Sequence, residues 1–210
     1  VDKAEGEGKE LNWKVNVDGT ENIAKACQKV GATLLYVSTD YVFDGNRTSG
    51  EYLPDDPKGP RNEYGKAKLT GEEAVQKYCD KYYIIRTAWV YGKWGHNFVY
   101  TMLNLAKNHD KLTVVDDQVG RPTWTRTLAE FLTYLVDNKV EYGVYHCCND
   151  GQCSWYEFAK EILKDTDVDV QPVTSDQYPT AAFRPHYSVM KLAKETGFVF
   201  PDWRKSLDEF

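Results

Sequence analysis

A tyrosine and a lysine four residues apart are the side chains in this sequence whose types and spacing suggest chemistry. Tyr64 and Lys68 stand in the run Tyr-Gly-Lys-Ala-Lys. Residues with this spacing share one face of a helix, so the phenol and the ammonium would be neighbours. A nearby ammonium favours the phenolate and lowers the pKa of a tyrosine from its ordinary value of about 10. The pair is therefore predicted to move a proton at neutral pH.

The spacing alone is a weak signal, because the chain has 15 tyrosines and a solvated helix face would look the same. Thr39 adds weight, since it follows the apolar run Ala-Thr-Leu-Leu-Tyr-Val-Ser, which is typical of a buried parallel strand. A hydroxyl at a strand end can bind a substrate oxygen. Capping a backbone group is the alternative role that the residue type allows.

The elements that must position these residues alternate between helix and strand. Helices are predicted over residues 11–30 and 64–78, and apolar strands over 32–38 and 82–90. This order predicts an α/β fold with a doubly wound, mainly parallel sheet, whose ligands bind beyond the carboxyl ends of the strands. The second half is less regular and predicts a smaller α+β lobe, with a helix over 189–196.

Composition limits the classes of partner. The net charge is −6 and there is no basic run, which argues against a nucleic-acid partner. No apolar stretch reaches the roughly 20 residues that span a bilayer, so no membrane is expected. The five cysteines form no C-x-x-C pair, which predicts reduced thiols in a cytoplasmic protein and no bound metal.

Six motifs, in one order along essentially the whole chain, carry a family resemblance. They are Val1-Asp2-Lys3-Ala4-Glu5; Ser38-Thr39-Asp40-Tyr41-Val42-Phe43-Asp44-Gly45 with the Tyr64–Lys68 run; Arg86-Thr87-Ala88-Trp89-Val90-Tyr91-Gly92; Asn97-Phe98; Asp117-Gln118-Val119-Gly120-Arg121-Pro122-Thr123; and Arg184-Pro185. Together they resemble the dTDP-4-dehydrorhamnose reductases, a family of extended short-chain dehydrogenase/reductases.

The resemblance implies roles for individual residues. Tyr64 would donate a proton to the C4 ketone of the sugar, Lys68 would lower the pKa of Tyr64 and hold the nicotinamide ribose, and Thr39 would bind the reacting oxygen. Ser38 and Ala88 are expected beside the cofactor, together with Tyr64 and Lys68. The substrate contacts implied are Thr39 and eight further residues: Val1, Asp40, Tyr41, Trp89, Asn97, Gln118, Arg121 and Arg184. The two arginines are candidates for binding the diphosphate.

The implied cofactor is NADPH or NADH, and the implied partner is a small nucleotide sugar. The protein would be a monomer or a homodimer, and some members of the family hold Mg²⁺ at a dimer interface. Residues 1–92 and 125–149 would form the Rossmann-like domain, and residues 93–124 and 150–210 the substrate-binding lobe. The Gly-rich turn that opens this family is missing here. We therefore expect an N-terminal truncation that removes the first strands and most cofactor contacts.

Two other functions stay open at this level. A sugar-nucleotide dehydratase or epimerase shares the fold, but a dehydratase needs a second carboxylate where Tyr41 follows Asp40. A regulatory subunit like that of methionine adenosyltransferase also shares it. The retention of Thr39, Tyr64 and Lys68 disfavours a purely structural role.

Overall fold

The computed structural model describes all residues from 1 to 210. It contains seven α-helices: α1 (Lys9–Trp13), α2 (Thr20–Val30), α3 (Glu63–Tyr78), α4 (Phe98–Leu105), α5 (Thr125–Asp137), α6 (Trp155–Ile162) and α7 (Trp203–Glu209). The strands are β1 (Leu34–Thr39), β2 (Tyr82–Thr87), β3 (Val90–Tyr91), β4 (Lys111–Val115), β5 (Val119–Gly120), β6 (Thr123–Trp124), β7 (Gly143–His146), β8 (Cys153–Ser154) and β9 (Asp169–Val173). No helix combines the length and the hydropathy that crossing a bilayer requires.

The central sheet has three parallel strands in the order β1-β2-β7. Strand β2 is covered on both faces, because its successive residues Ile84 and Ile85 join two different apolar clusters. Ile84 packs with Val75 of α3, and the cluster of Ile85 includes Phe131 and Leu135 of α5. Helices on both faces of a parallel sheet confirm the predicted α/β architecture.

The first predicted helix is one helical stretch with an irregular centre. Helices α1 and α2 are joined by a π-helical segment over Lys14–Gly19, and α2 ends where Gly31 takes a left-handed backbone with φ of 71°. The stretch packs against α3 through a close approach at Gly71. A side chain at Gly71 would stand 2.2 Å from the Tyr36 hydroxyl and 2.6 Å from the backbone oxygen of Asn16. Helix α3 therefore lies directly on both the strand and the π segment.

A buried ion pair fastens α3 to the sheet. Nη2 of Arg86 on β2 donates to Oε2 of Glu72 on α3 at 2.7 Å, and both side chains are at most 3% exposed. The Ser38 hydroxyl donates to Oε1 of the same carboxylate at 2.5 Å. Arg86 also donates to the carbonyl oxygen of Pro54 at 2.9 Å. One pair thus joins β1, β2, α3 and the long loop before α3.

A second apolar cluster lies among α4, β4, α6 and β9. Strands β4 and β9 pair in parallel, and Met102, Leu112 and Ala159 are among the buried residues between them and the helices. These elements fall within the predicted substrate-binding lobe. The C-terminal residues 187–200 pack instead into the cluster beside the central sheet, so the domain boundaries given above stay a prediction.

The predicted helix over 189–196 is wrong. Only a 3-10 turn at Lys194–Thr196 forms there. Val189 and Met190 are fully buried in extended chain, and the backbone of Tyr52 bonds to Val189 and Lys191 on either side. Pairing with the long loop has replaced the local helical bonds, which a pattern of apolar residues does not reveal.

The contact at Gly71 gives a stability prediction. Replacing Gly71 with Ala is expected to lower the free energy of unfolding by about 1–3 kcal/mol, because backbone as well as side-chain atoms must move. Gly19→Ala is the matched control, since its nearest neighbour is the Lys14 oxygen at an ordinary 3.6 Å. That variant should be neutral or more stable by about 0.5–1 kcal/mol. Urea unfolding of both variants measures the difference, and equal effects would contradict the assigned contact.

Candidate active site

The first turn of α3 carries Tyr64 and is fixed by side chains from outside the helix. Oδ1 of Asn62 accepts the backbone N–H of Gly65 at 2.7 Å and caps the helix. Oε1 of Glu5 accepts the N–H of Glu63 at 2.7 Å. Caps of this kind satisfy N–H groups that have no partner within the helix. The phenol therefore sits on a backbone that is held at its N-terminal end.

Thr39 ends β1, as predicted, and its hydroxyl is the centre of a small polar group. Its Oγ1 donates to Oδ1 of Asp40 at 3.0 Å and accepts the N–H of Tyr41 at 3.2 Å. Burial and the charge of Asp40 raise the pKa of Tyr64, and a hydrogen bond with the Thr39 hydroxyl acts in the opposite direction. The expected lowering by Lys68 is not found, because Lys68 is not among the groups that shift the pKa of Tyr64.

Lys68 is a buried ammonium that makes no hydrogen bond or ion pair in this structure. Its Nζ lies 3.9 Å from the ring centroid of Tyr36, over the aromatic face. Burial lowers the pKa of Lys68 to about 8, with the charge of Glu72 opposing that shift. A cation with three donors and no acceptor fits a hydroxylated ligand such as a ribose. The residue predicted to hold the nicotinamide ribose is therefore free to do so.

Asp40 faces the interior. The carboxyl group is fully buried, and its Oδ2 has no hydrogen-bond partner. Burial raises the pKa of Asp40 to about 6, while hydrogen bonds from Ser188 and Thr39 lower it. The predicted direct contact of Asp40 with the sugar stays a prediction.

A cavity of about 550 Å³ opens between α4, β4, the start of α6 and residues 178–184. Its walls combine apolar, aromatic and polar side chains, including Phe98, Leu112, Val114, Gln118, Trp155, Tyr178 and Arg184. Arg184 donates from Nη2 to Asp2 at 2.5 Å, and its Nη1 is buried without a partner. The guanidinium lies 5.9 Å from the ring of Tyr41, which packs edge-on against Tyr64 at 6.1 Å. Arg184 thus connects the cavity to the phenol.

Trp89 connects the cavity to the sheet from the other side. It follows β2 with a left-handed backbone, φ of 49°, which is unusual for a residue other than glycine. Its ring stacks on Trp155 with centroids 3.6 Å apart and planes 13° apart. Gly120 admits this ring, since a side chain there would stand 2.8 Å from it. The predicted substrate residue Trp89 is therefore beside the cavity wall.

Three further predicted site residues bind other groups within the protein. Ser38 donates its hydroxyl to Glu72, and its predicted contact with the cofactor stays a prediction. Ala88 is buried, and its carbonyl oxygen accepts the hydroxyl of Thr123. Arg121 is paired with Glu51 at 2.5 Å and with Asp150 at 3.3 Å. Its guanidinium joins two loops by neutralising their acids, although its Nε is buried without a partner. Its predicted role in binding the diphosphate stays a prediction.

The remaining predicted site residues are Asn97, Gln118 and Val1. The Asn97 amide caps α4 by accepting the N–H of Tyr100 at 3.1 Å, and it donates to the oxygen of Gly92. Gln118 lines the cavity and donates to Ser175. Val1 is exposed at the start of the turn whose Asp2 binds Arg184.

Sequence reasoning missed the residues that support the site. Asn62 precedes a predicted helix and had the signal of an N-cap, an Asn directly before the first helical residue. Trp155 stands in a recognisable capping box, Ser154 to Glu157, but nothing in that motif shows what its indole touches. Tyr36 lies within an apolar strand, and its partner Lys68 is distant in sequence. Contacts of this kind exist only after folding.

The fold and the site define a class: an α/β protein of the Rossmann-like, short-chain dehydrogenase/reductase type with a Thr-Tyr-Lys group at a strand end. The family model of the RmlD substrate binding domain matches residues 1–210. A dTDP-4-dehydrorhamnose reductase of Escherichia coli (strain K12) is 39% identical over 97% of this chain and 73% of its own length.

Two solved structures agree. A dTDP-4-dehydrorhamnose reductase of Bacillus anthracis in complex with NADP is 41% identical, with a TM-score of 0.95 over 100% of this chain and 75% of that chain. The orthologue from Clostridium acetobutylicum is 46% identical, also with a TM-score of 0.95, 100% of this chain and 75% of that chain. This chain belongs to the dTDP-4-dehydrorhamnose reductase family.

The environment of Asp40 gives a prediction for stability against pH. Its pKa is raised from 3.8 to about 6, so the folded state binds more protons than the unfolded state between these values. The Asp40 contribution to unfolding free energy should therefore fall as pH rises from 4 to 6 and stay low above that. Asp40→Asn lacks this titration. Between pH 4 and pH 7, its free energy of unfolding relative to that of the parent should therefore rise by roughly 2–3 kcal/mol. Urea unfolding at both pH values measures the gain; a constant difference between the two proteins would contradict the assignment.

Proposed function

We propose that this protein reduces the C4 ketone of dTDP-4-dehydro-L-rhamnose to give dTDP-L-rhamnose, with NADPH or NADH as the reductant. One observation carries the proposal. Thr39 ends β1 with its hydroxyl bonded to Asp40 and Tyr41, the ring of Tyr64 packs edge-on against Tyr41, and Lys68 stands four residues further along α3. The family to which the chain belongs carries out this reaction, and NADP is bound in the B. anthracis relative.

The chemistry requires a proton at the carbonyl oxygen. The nicotinamide, when bound, supplies a hydride to the carbonyl carbon, and negative charge then grows on the oxygen. Tyr64 donates its proton to that oxygen, and the Thr39 hydroxyl orients it. The raised pKa of Tyr64 suits this direction of transfer, because the phenol keeps its proton until the oxygen becomes basic.

Lys68 contributes position and charge. With a pKa of about 8, most of its population is protonated at neutral pH. The ammonium would hold the hydroxyls of the cofactor ribose and stabilise the phenolate that remains after proton transfer. Its resting place on the face of Tyr36 keeps it within the buried part of the site.

The substrate would lie along the cavity. Arg184 offers a buried, unpaired Nη1 that can bind a diphosphate oxygen, and a guanidinium is well suited to that geometry. The apolar and aromatic wall around Phe98 and Leu112 suits a flat nucleobase. The sugar would then reach past Tyr41 to Tyr64. We place the reaction in the cytoplasm, where the reductant and nucleotide sugars are available.

Turnover of the intact natural protein tests the function. It should consume one NADPH for each dTDP-4-dehydro-L-rhamnose, as read from the near-ultraviolet absorbance of the reduced nicotinamide and from product mass. A dehydratase or an epimerase would transform a nucleotide sugar without net consumption of reductant. That outcome, or no turnover at all, would refute the proposed reaction.

The proton donor is tested by Tyr64→Phe. Removing the phenolic proton is expected to lower kcat by roughly 100- to 10,000-fold, the usual contribution of a general acid. Tyr142→Phe is the matched control, because its hydroxyl contacts only Thr33 at the opposite end of the sheet. Steady-state kinetics and thermal unfolding should show a stable but inactive Tyr64→Phe and an unchanged control. Retained turnover in Tyr64→Phe would refute the assigned donor.

The diphosphate ligand is tested by Arg184→Gln. Loss of a charge-assisted hydrogen bond should raise KM for the nucleotide sugar by roughly 10- to 100-fold with little change in kcat. Arg126→Gln is the control, because the Arg126 side chain is exposed on α5, and it should leave both constants unchanged. If the two variants gave the same KM, Arg184 would not bind the substrate.

A further inference from the structure

The backbone at Trp89 is held in a conformation that its residue type disfavours. The left-handed region crowds the Cβ of any residue other than glycine, and such strain persists only where the surroundings impose it. Residues held in this way cluster at functional sites. The contacts that impose the conformation here are therefore informative about how Trp89 is used.

The ring of Trp89 packs against two apolar clusters, and Trp155 is the aromatic side chain that stacks on it. The indole of Trp155 stacks on it almost parallel, and Gly120 leaves room for the ring. The backbone of Trp89 is also bonded, because its oxygen accepts the N–H of Thr123 at 3.1 Å. Neither ring forms a hydrogen bond through its indole nitrogen, so the stack is the principal contact between them.

The position of Trp155 is fixed by the start of the helix to which it belongs. It is the first residue of α6, and the Ser154–Glu157 capping box fixes the start of that helix. Its ring lies 4.6 Å from that of Phe98, and both rings line the cavity beside Arg184. The indole of Trp155 therefore lines the proposed nucleotide end of the cavity and also contacts Trp89, which follows β2.

We propose that Trp155 is a positioning residue for substrate binding, which acts by holding Trp89 in its strained conformation at the sugar end of the cavity. This inference rests on the proposed function. Without the stack, Trp89 would relax towards an ordinary backbone and move its ring away from the nucleotide sugar. Binding of the substrate would weaken, and the proton transfer by Tyr64 would keep its rate once the substrate is bound.

Kinetics of Trp155→Leu and Trp155→Phe in the intact natural protein test the proposal. Trp155→Leu should raise KM for dTDP-4-dehydro-L-rhamnose by roughly fivefold to tenfold, the value of an aromatic pair, with kcat nearly unchanged. Trp155→Phe keeps a smaller ring against Trp89 and should raise KM less. Trp94→Leu is the control, since this indole is 84% exposed, and it should change neither constant.

A double-mutant cycle separates positioning from direct contact with the substrate. If Trp155 acts through Trp89, then Trp89→Leu with Trp155→Leu should have the same KM as Trp89→Leu alone. Additive increases in KM would show that Trp155 binds the substrate by itself and would overturn the proposal.

Circular dichroism supplies a readout that does not depend on turnover. Two stacked indoles couple their transitions and give a paired signal, which the parent and Trp94→Leu should show and both Trp155 variants should lose. A parent without this signal, or an unchanged KM in whichever Trp155 variant folds, would overturn the inference alone. A parent that turns over no nucleotide sugar would refute the proposed function, and the inference with it.

Discussion

The ion pair between Glu72 and Arg86 is the contact on which the rest of the site depends. Two buried charges are costly unless they are paired and hydrogen-bonded, and here the serine of β1 and a loop carbonyl complete the set. The pair fixes the rotation of α3 against the sheet. Because Tyr64 and Lys68 lie two turns and one turn before Glu72, that rotation also sets the direction of both side chains, and the ammonium of Lys68 lies over the ring of Tyr36 on β1.

The cationic side chains at and around the site differ in how far acidic side chains already bind them. Arg86 is bound by Glu72, and Arg121 is bound by Glu51 and Asp150, although the Nε of Arg121 is buried without a partner. Lys68 has no acceptor, and Arg184 retains one buried, unpaired nitrogen. Unsatisfied buried donors are rare in folded proteins, because each carries a desolvation cost that a ligand can remove. Under the proposed function, Lys68 and Arg184, which also binds Asp2, would contact the two ends of a hydroxylated, anionic ligand.

Much of the architecture could be predicted from local pattern. The strands β1 and β2 and the helix α3 follow from apolar runs and from helical spacing, and Thr39 stands at a strand end as expected. The helix predicted over 189–196 failed because extended pairing with Tyr52 replaced local bonds. The ligand contacts predicted for Arg121 and Ser38 stay predictions, and the sequence did not reveal that their side chains also contact Glu51, Asp150 and Glu72. Partners so distant in sequence leave no periodic signal.

The sequence by itself determined the α/β order and the family, and it supplied the proposed proton-moving group, since these depend on residue types at short, fixed spacings. Only the tertiary structure decided how that group is tuned. Burial raises the pKa of Tyr64, Tyr36 receives the ammonium of Lys68, and Trp155 holds Trp89 in a strained conformation. The reason is physical: desolvation and packing depend on which distant segments meet, and those meetings are properties of the folded chain.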